Sequence, residues 1–265
     1  MKGPTIGVFD SGVGGLTVLR AIHRLLPDRD TAYLGDTARV PYGTRSPETV
    51  TRYAENAARF LAQREDLGVF VIACNTASAV AVEAVARLVP IPVIGVIEPT
   101  ARHAAAISPG GKIGVIGTRG TILSGAYQRA VARSRPDATV IAEACPLFVP
   151  LAEEGWTTVG DDVAEAVARR YLSRLGDIDT LILGCTHYPL LEGVIRGVVG
   201  PKVLLADASV AAAEEVREIV GSRLPEASGR PPVRRYYVTD LPNGFAAVAE
   251  RFLGAPIDAP IEVDL

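Results

Sequence analysis

The stretch that decides the fold is residues 5–26, which reads TIGVFDSGVGGLTVLRAIHRLL. Its first part, Thr5–Phe9, is a run of mostly apolar residues that predicts a strand buried on both faces. Asp10 ends this run, and the glycine-rich segment Gly12–Gly15 then predicts a tight turn. An apolar stripe at helical spacing occupies residues 19–26 and predicts a helix. The stretch therefore predicts a strand–turn–helix unit, from which parallel α/β sheets are built.

Short apolar runs alternate with helical patterns along the whole chain. The runs that predict strands are Thr5–Phe9, Thr31–Leu34, Gly68–Ala73, Pro92–Val96, Lys112–Ile116, Thr139–Glu143, Asp179–Gly184, Lys202–Ala206 and Arg234–Thr239. The further predicted helices are Pro47–Leu61, with Ser46 as its N-cap, Ala77–Leu88, Asp162–Leu175 and Ala208–Leu224. This alternation predicts an α/β fold in which helices cover parallel sheets.

Two segments of the sequence occur twice in similar form. Residues 6–12 (IGVFDSG) resemble residues 113–119 (IGVIGTR), and residues 71–76 (VIACNT) resemble residues 181–186 (LILGCT). The first pair is offset by 107 positions, and the cysteines of the second pair are offset by 111. Because the two offsets are similar, we predict a duplicated α/β unit. The two units would face each other about a pseudo-two-fold axis, and each would offer one cysteine.

Composition and charge exclude several classes of protein. The chain has 265 residues, of which 48% are hydrophobic, and this length suggests about two domains. A net charge of −3 without a basic stripe gives no support for nucleic-acid binding. The longest apolar run, residues 67–74, is far too short to span a membrane. Three widely spaced cysteines and three scattered histidines predict neither disulfides nor a metal site, and free thiols are typical of the cytoplasm.

The residues that two common cofactors need are missing or badly placed. The only lysines are Lys2, Lys112 and Lys202, and none stands where it could hold pyridoxal phosphate as a Schiff base. Gly12–Gly15 and the acidic Asp36 imitate part of a dinucleotide-binding unit, but the full G-x-G-x-x-G pattern is absent. We therefore expect catalysis without a cofactor, and a glycine-rich turn that offers N–H groups to a carboxylate.

Reactive and polar side chains follow the predicted strands, at the sheet edge where α/β proteins bind ligands. They are Asp10, Asp36, Cys74, Thr118, Cys145, Cys185, Asp207 and Asp240. Aspartate at this position is also a common helix N-cap, whereas cysteine is not. Cys74 and Cys185 occupy matching places in the repeat, so we expect a chemical role for both. Cys145 is interpreted as a buried structural residue.

Two opposed cysteines are suited to a symmetric reaction at one carbon atom. One thiolate would remove a proton from one face, and the other thiol would return a proton to the opposite face, which is racemisation or epimerisation. Asp10 could orient or deprotonate one thiol, and His187, two residues after Cys185, could serve the other. On an extended segment His187 would point to the same side as Cys185.

Five motifs make the chain similar to the glutamate racemase family. They are residues 7–17 (GVFDSGVGGLT), 33–43 (YLGDTARVPYG), 73–78 (ACNTAS), 146–151 (PLFVPL) and 184–190 (GCTHYPL). The resemblance implies two flavodoxin-like α/β domains, related by pseudo-two-fold symmetry, with the active site in the cleft between them. The first domain would comprise residues 1–97 and 208–265, and the second residues 98–207. The predicted strand Arg234–Thr239 would thus return to the N-terminal sheet.

The resemblance also implies an activity, which is the cofactor-independent interconversion of L- and D-glutamate. This isomerase reaction would supply D-glutamate for peptidoglycan, and so for cell-wall biogenesis and cell shape. By the same similarity, Cys74 would take the α-proton from D-glutamate and Cys185 would take it from L-glutamate. Asp10 would assist Cys74, and His187 would assist Cys185.

Further residues and partners are assigned by the resemblance alone. Glu153 matches an acidic position of the family near His187, and the adjacent Glu154 stays open as an alternative. The positions that match substrate contacts are Asp10, Ser11, Pro41, Tyr42, Gly43, Asn75, Thr76, Thr118, Thr121, Thr186 and His187. The implied protein is a cytoplasmic homodimer that binds glutamate and has no metal, no cofactor, no nucleic acid and no membrane among its partners.

Three alternatives stay open. A related aspartate or hydantoin racemase would share the chemistry and differ in its substrate. A two-lobed amino-acid-binding protein without activity would need neither cysteine. A cysteine hydrolase based on Cys185 and His187 would form a covalent intermediate at Cys185 and would not need Cys74.

Overall fold

All nine predicted strands form in a computed structural model of the protein, which describes residues 4–227 and 229–265. The strands are β1 (Thr5–Asp10), β2 (Thr31–Gly35), β3 (Leu67–Ile72), β4 (Val93–Gly95), β5 (Lys112–Gly117), β6 (Thr139–Ala144), β7 (Thr180–Gly184), β8 (Leu204–Asp207), β9 (Arg234–Val238) and β10 (Ile261–Glu262). The short strand β10 was not predicted, because two exposed residues are too few to show a periodic pattern.

The strands form two parallel sheets with a shared order. The first sheet runs β10-β9-β2-β1-β3-β4, and the second runs β6-β5-β7-β8. Every neighbouring pair of strands in both sheets is parallel. The order β2-β1-β3-β4 in the first sheet therefore matches β6-β5-β7-β8 in the second. The match confirms the two parallel-sheet domains and agrees with a duplicated unit, in which β3 corresponds to β7.

Helices connect and cover the strands. They are α1 (Leu16–Leu25), α2 (Pro47–Arg64), α3 (Asn75–Ser78), α4 (Val82–Ala86), α5 (Ile97–Ile107), α6 (Arg119–Leu123), α7 (Ala126–Ser134), α8 (Phe148–Glu154), α9 (Asp162–Leu172), α10 (Glu192–Val199), α11 (Ala208–Arg223) and α12 (Phe245–Leu253). As predicted, Pro47 opens α2, and the Ser46 hydroxyl accepts a hydrogen bond from the Thr49 N–H at 3.3 Å. This N-cap gives one unpaired N–H group of the first turn a partner.

The predicted single helix at Ala77–Leu88 is wrong, because the structure has two short helices, α3 and α4, in this region. The Ser78 hydroxyl donates to the carbonyl oxygen of Ile72 at 2.7 Å and accepts from the Val96 N–H at 3.1 Å. The last residue of α3 is thereby bound to the ends of the neighbouring strands. A serine that bonds to nearby backbone in this way competes with a continuous helix.

The chain crosses between the sheets twice. Helix α5 leads from β4 of the first sheet to β5 of the second, and α11 leads back from β8 toward β9. Strand β9 pairs with β2, so the C-terminal part of the chain returns to the first sheet as expected. The domain boundaries at residues 97/98 and 207/208 stay predictions. A large buried apolar cluster includes residues of both sheets and of α1, α11 and α12, so the halves share packing.

Within the described part of the chain, no helix is both long enough and apolar enough to cross a membrane.

Candidate active site

Residues directly after β1, β3, β5 and β7 line a single cavity of about 540 Å³. The cavity therefore lies between the carboxyl ends of the two sheets, where α/β folds bind ligands. Its lining residues are Ser11, Gly12, Val40, Pro41, Tyr42, Gly43, Thr44, Cys74, Asn75, Thr76, Thr118, Arg119, Pro146, Val149, Pro150, Glu153, Cys185, Thr186 and His187. Of the residues predicted for the site, only Asp10 and Thr121 are not in the lining. Both contact residues that are, because Asp10 binds Gly12 and Thr121 lies 3.0 Å from Thr118.

Several lining residues were not predicted from the sequence. Val40 and Thr44 flank the predicted segment 41–43, so the loop 40–44 contributes one more residue at each end to the cavity lining. Three more come from segment 146–151, which carries a family motif but no predicted site residue. Arg119 follows the predicted Thr118, and no sequence signal marks it out.

The first sulfur atom lies in what we call the Cys74 side, formed by Cys74, Asp10 and Ser11. The Cys74 thiol is buried, and its Sγ lies 3.5 Å from the Ser11 hydroxyl, to which it donates. Asp10 Oδ2 accepts from the Gly12 N–H at 3.0 Å, while its buried Oδ1 has no partner among the described residues. Burial raises the pKa of Asp10, although the charge of His187 and three backbone N–H groups oppose this rise. Burial, and then the negative charge of Asp10, raise the pKa of Cys74 to about 12.

The second sulfur atom lies in the Cys185 side, formed by Cys185, His187 and Glu153. Cys185 Sγ lies 3.8 Å from His187 Nδ1, and His187 Nε2 lies 2.9 Å from Glu153 Oε1. Burial acts to lower the pKa of His187, but hydrogen bonds to Cys185 and Glu153 outweigh it and raise the pKa to about 10. The imidazole ring is therefore charged at neutral pH and donates on both sides.

The structure brings His187 to Cys185 by a different local geometry from the predicted one. His187 is in a right-handed helical conformation (φ −80°, ψ −30°) and directly precedes the short 3₁₀ helix Tyr188–Leu191. The predicted extended segment is therefore wrong, and a turn brings the two side chains together. Glu153 rather than Glu154 contacts the imidazole ring.

Amide and hydroxyl groups form a polar wall between the two cysteines. Asn75 Oδ1 accepts from the Tyr127 hydroxyl at 2.6 Å, and its buried Nδ2 has no partner among the described residues. The Thr76 and Thr118 hydroxyls lie 2.8 Å apart, and the Thr118 and Thr121 hydroxyls lie 3.0 Å apart. An unpaired buried amide donor costs free energy until it finds an acceptor. The wall is therefore suited to bind a carboxylate.

A buried carboxylate holds the loop that lines one end of the cavity. Asp36 is fully buried and accepts from the Tyr42 hydroxyl at 2.5 Å, the Thr239 hydroxyl at 2.8 Å and the Arg39 guanidinium at 3.2 Å. A carboxylate with three donors is well satisfied in the interior. Asp36 thus anchors Tyr42 and ties the loop to the end of β9.

The glycine-rich turn allows the two halves to approach closely. A Cβ atom on Gly14 would lie 2.3 Å from the Thr186 hydroxyl oxygen and 2.5 Å from the His187 ring, so a larger residue would push the halves apart. The turn also offers an N–H group to a carboxylate, as predicted. In the structure this carboxylate is the side chain of Asp10.

The remaining sequence features lie away from the cavity. Lys112 and Lys202 are not in its lining, and Lys112 is exposed and paired with Asp177. Lys2 lies outside the described residues. Cys145 is buried outside the lining. Among the described residues no three His, Cys, Asp or Glu side chains are grouped so as to hold a metal ion.

Sequence comparisons place this geometry in a known family. The family described as Asp/Glu/Hydantoin racemase matches residues 6–216. The glutamate racemase of Geobacter metallireducens is 53% identical over 268 residues, which cover 100% of this chain and 98% of the relative. The glutamate racemase of Thermus thermophilus is 48% identical, and the match covers 100% and 99% of the two chains.

Solved structures agree with the sequence comparisons. A glutamate racemase of Bacillus anthracis superposes with a TM-score of 0.91 at 40% identity, over 100% of this chain and 99% of that one. The glutamate racemase of Francisella tularensis in complex with D-glutamate has a TM-score of 0.91 at 37% identity, over 100% and 98%. The aspartate racemase of Picrophilus torridus, at 16% identity and a TM-score of 0.58, shares the fold. The chain therefore belongs to the Asp/Glu/Hydantoin racemase family of isomerases, and the relatives that it resembles over its whole length are glutamate racemases.

Proposed function

We propose that this protein interconverts L- and D-glutamate without a cofactor, with Cys74 and Cys185 as the two acid/base groups. The observation that carries the proposal is the shared cavity, which both sulfur-bearing residues reach from equivalent strands, β3 and β7. A reaction that handles both faces of one carbon needs a proton-transfer group on each side of it. The whole-length similarity to glutamate racemases supports glutamate as the substrate.

The polar groups of the cavity match the charges of glutamate. The unpaired Nδ2 of Asn75 and the hydroxyls of Thr76, Thr118, Thr121 and Thr186 would bind the two carboxylates. The backbone of Pro41–Gly43, held by Asp36 through Tyr42, would close one end of the site. On the Cys74 side, Ser11 and Asp10, whose buried Oδ1 has no partner among the described residues, would face the ammonium group.

The two sides of the site carry different charges before substrate binds. At neutral pH Cys74 is a thiol, and His187, which lies beside Cys185, is an imidazolium. With L-glutamate, the Cys185 thiolate would take the α-proton, and the Cys74 thiol would give its proton to the opposite face. The broken and the new C–H bond balance, and the negative charge passes from Cys185 to Cys74.

The reverse reaction starts from D-glutamate and needs the Cys74 thiolate. Asp10 would assist as a proton acceptor, because burial raises its pKa and its buried Oδ1 has no partner among the described residues. Asn75 and Thr186 would stabilise the negative oxygen atoms of the carbanion in both directions.

The wider role follows from the relatives. We propose that the product D-glutamate serves peptidoglycan synthesis, and hence cell-wall biogenesis and cell shape. We also propose a cytoplasmic homodimer. Support for the compartment comes from the three cysteines, which are all free.

Proton exchange in D₂O tests the activity directly. Purified protein is incubated with D-glutamate and no added cofactor, the α-proton is followed by NMR, and L-glutamate is measured by chiral analysis. We expect exchange together with L-glutamate formation. Turnover of aspartate instead of glutamate would favour a related racemase. No exchange with either amino acid would favour the binding protein.

Cysteine variants in the same assay test the assignment of the two thiols. Cys74→Ala and Cys185→Ala should each lower racemisation on the order of 10²–10⁴-fold, as expected for loss of an acid/base group. Cys145→Ala is the matched control, because this buried thiol lies outside the cavity. A trapped covalent intermediate at Cys185, with Cys74→Ala still active, would favour the hydrolase.

A further inference from the structure

In the His187–Glu153 pair, the Glu153 side chain is partly exposed to solvent and has few contacts that fix its position. The Glu153 side chain is 45% exposed, and His187 Nε2 is the only partner of its carboxylate in the described residues. An exposed carboxylate with a single partner is weakly held, because water screens the pair. The position of Glu153 must therefore come from its backbone.

The backbone of Glu153 is held by another part of the chain. Helix α8 ends at Glu154, and its last carbonyl groups have no partners within the helix. Arg251, on helix α12, donates to the carbonyl oxygen of Glu153 at 2.5 Å and to that of Ala152 at 3.4 Å. A cation at the carboxyl end of a helix is also favoured by the helix dipole.

The structure leaves room for this guanidinium group. Gly155, directly after α8, has φ +81°, a conformation that glycine adopts without strain. A Cβ atom on Gly155 would lie 2.9 Å from Cζ of Arg251. Glycine at this position therefore both ends the helix and admits Arg251.

The neighbouring residue of α12 contacts the other member of the pair. The rings of Phe252 and His187 are 5.0 Å apart at 77°, an edge-to-face arrangement. Phe252 is fully buried, so its ring is fixed by packing. Two adjacent residues of one helix thus contact both members of the pair, Arg251 through backbone and Phe252 through the ring.

We infer that Arg251 and Phe252 are positioning residues that set the geometry of the His187–Glu153 pair, and through it the reactivity of Cys185. Helix α12 follows β9 of the first sheet and packs on α1, whereas Cys185 follows β7 of the second sheet. The C-terminal helix of one half would thus tune the proton-transfer group of the other. The catalytic part of this inference rests on the proposed function.

A titration of His187 tests the positioning without substrate. The variants are Arg251→Ala, Arg251→Lys and Phe252→Leu. The control is Arg102→Ala, which removes another exposed arginine that joins two helices, here through Glu215, away from the cavity. The imidazole resonance of His187 is assigned with His187→Asn and followed by NMR as a function of pH.

We expect the pKa of His187 to fall below about 10 in Arg251→Ala, to fall less in Arg251→Lys, and not to change in the control. The groups that face His187 are Cys185, Glu153 and Asp10, and only the contact with Glu153 should loosen. An unchanged titration in all three variants, or one equal to that of Arg102→Ala, overturns the inference. If Arg251→Ala does not fold, the other two variants decide by the same criterion.

Deuterium isotope effects test the consequence for catalysis. With α-deuterated substrates, the variants should show a larger isotope effect for L-glutamate, which Cys185 deprotonates, than for D-glutamate. A change that only destabilised the fold would leave the ratio of the two effects as it is in the unsubstituted protein. If the unsubstituted protein does not racemise glutamate, the proposed function fails while the titration still decides on the positioning residues.

Discussion

Cys74 and Cys185 follow equivalent strands, β3 and β7, but their sulfur atoms meet different neighbours. Cys74 lies against the Ser11 hydroxyl and a buried aspartate, Asp10, whose Oδ1 has no partner among the described residues. Cys185 lies against an imidazole ring that is itself bound to a carboxylate. One thiol is thus next to a negative group and the other next to a positive group.

The comparison shows that a repeated fold does not require repeated chemistry. Burial and a nearby carboxylate raise the pKa of Cys74 to about 12, so this side holds its proton. On the other side, a charged imidazole lies beside Cys185. The proposed reaction needs one acid and one base at any moment, and the unequal neighbours would provide this difference before substrate binds. The following predictions test the comparison, from the largest expected effect to the smallest.

Serine substitutions should separate the two sides most strongly. Cys74→Ser and Cys185→Ser should each lower kcat/KM on the order of 10²–10⁴-fold, because a hydroxyl is a far weaker acid than a thiol. Enantiomers have equal free energies in water, so kcat/KM stays equal in both directions in every variant. The difference between the sides should therefore be sought in isotope effects.

In Cys74→Ser the α-deuterium effect should rise for D-glutamate and fall toward unity for L-glutamate. In Cys185→Ser the pattern should be mirrored. The measurement compares initial rates with protonated and α-deuterated enantiomers. An equal rise for both enantiomers would contradict the assignment of one thiol to each.

Removing the charged neighbours of the two cysteines should lower turnover less than the serine substitutions do, again with a different isotope effect for each enantiomer. Asp10→Asn should mainly impair the Cys74 side, and His187→Asn the Cys185 side, each on the order of 10- to 100-fold in turnover, as for groups that orient reacting ligands. The isotope effect should rise with D-glutamate for Asp10→Asn and with L-glutamate for His187→Asn. If the isotope effect rose with the same enantiomer in both variants, Asp10 and His187 would not serve different thiols.

Stability should depend on pH through the Cys185 side. The pKa of His187 is raised to about 10, so its charged form stabilises the folded state. This contribution is fully present below about pH 6.5, the ordinary histidine value, and is lost as pH rises through about 10. The difference in unfolding free energy between the unsubstituted protein and His187→Asn should shrink over this range by about 1.5–3 kcal/mol. Urea unfolding at several pH values measures it, and a constant difference would contradict the charged imidazole.

Glu153→Gln should have the smallest effect, because the carboxylate is half-exposed. We expect at most about a fivefold loss of turnover, in line with exposed ion pairs. Glu154→Gln is the matched control, since the adjacent residue does not contact His187. Equal losses of turnover in both variants would show that the contact of Glu153 with His187 does not assist Cys185.

The local features of the site could be predicted from the sequence wherever they follow from the end of a strand. The positions of Asp10, Cys74 and Cys185 were predicted because a buried apolar run ends directly before each of them. The broken helix after Cys74 was not predicted, since it depends on bonds that Ser78 makes to the backbone of Ile72 and Val96 in the assembled sheet. Arg119 in the lining was missed for a similar reason, because only the fold brings it to the cavity.

The sequence by itself determined the alternation of strands and helices, the repeat and the two cysteines, because periodicity and spacing act over short distances along the chain. Tertiary structure decided which groups surround each sulfur atom. His187 reaches Cys185 through a turn, Glu153 comes from a helix 34 residues earlier, and Arg251 comes from a helix of the returning C-terminal segment. Burial and charge at the site depend on these distant neighbours, so the unequal chemistry of two similar strand ends is a property of the assembled fold.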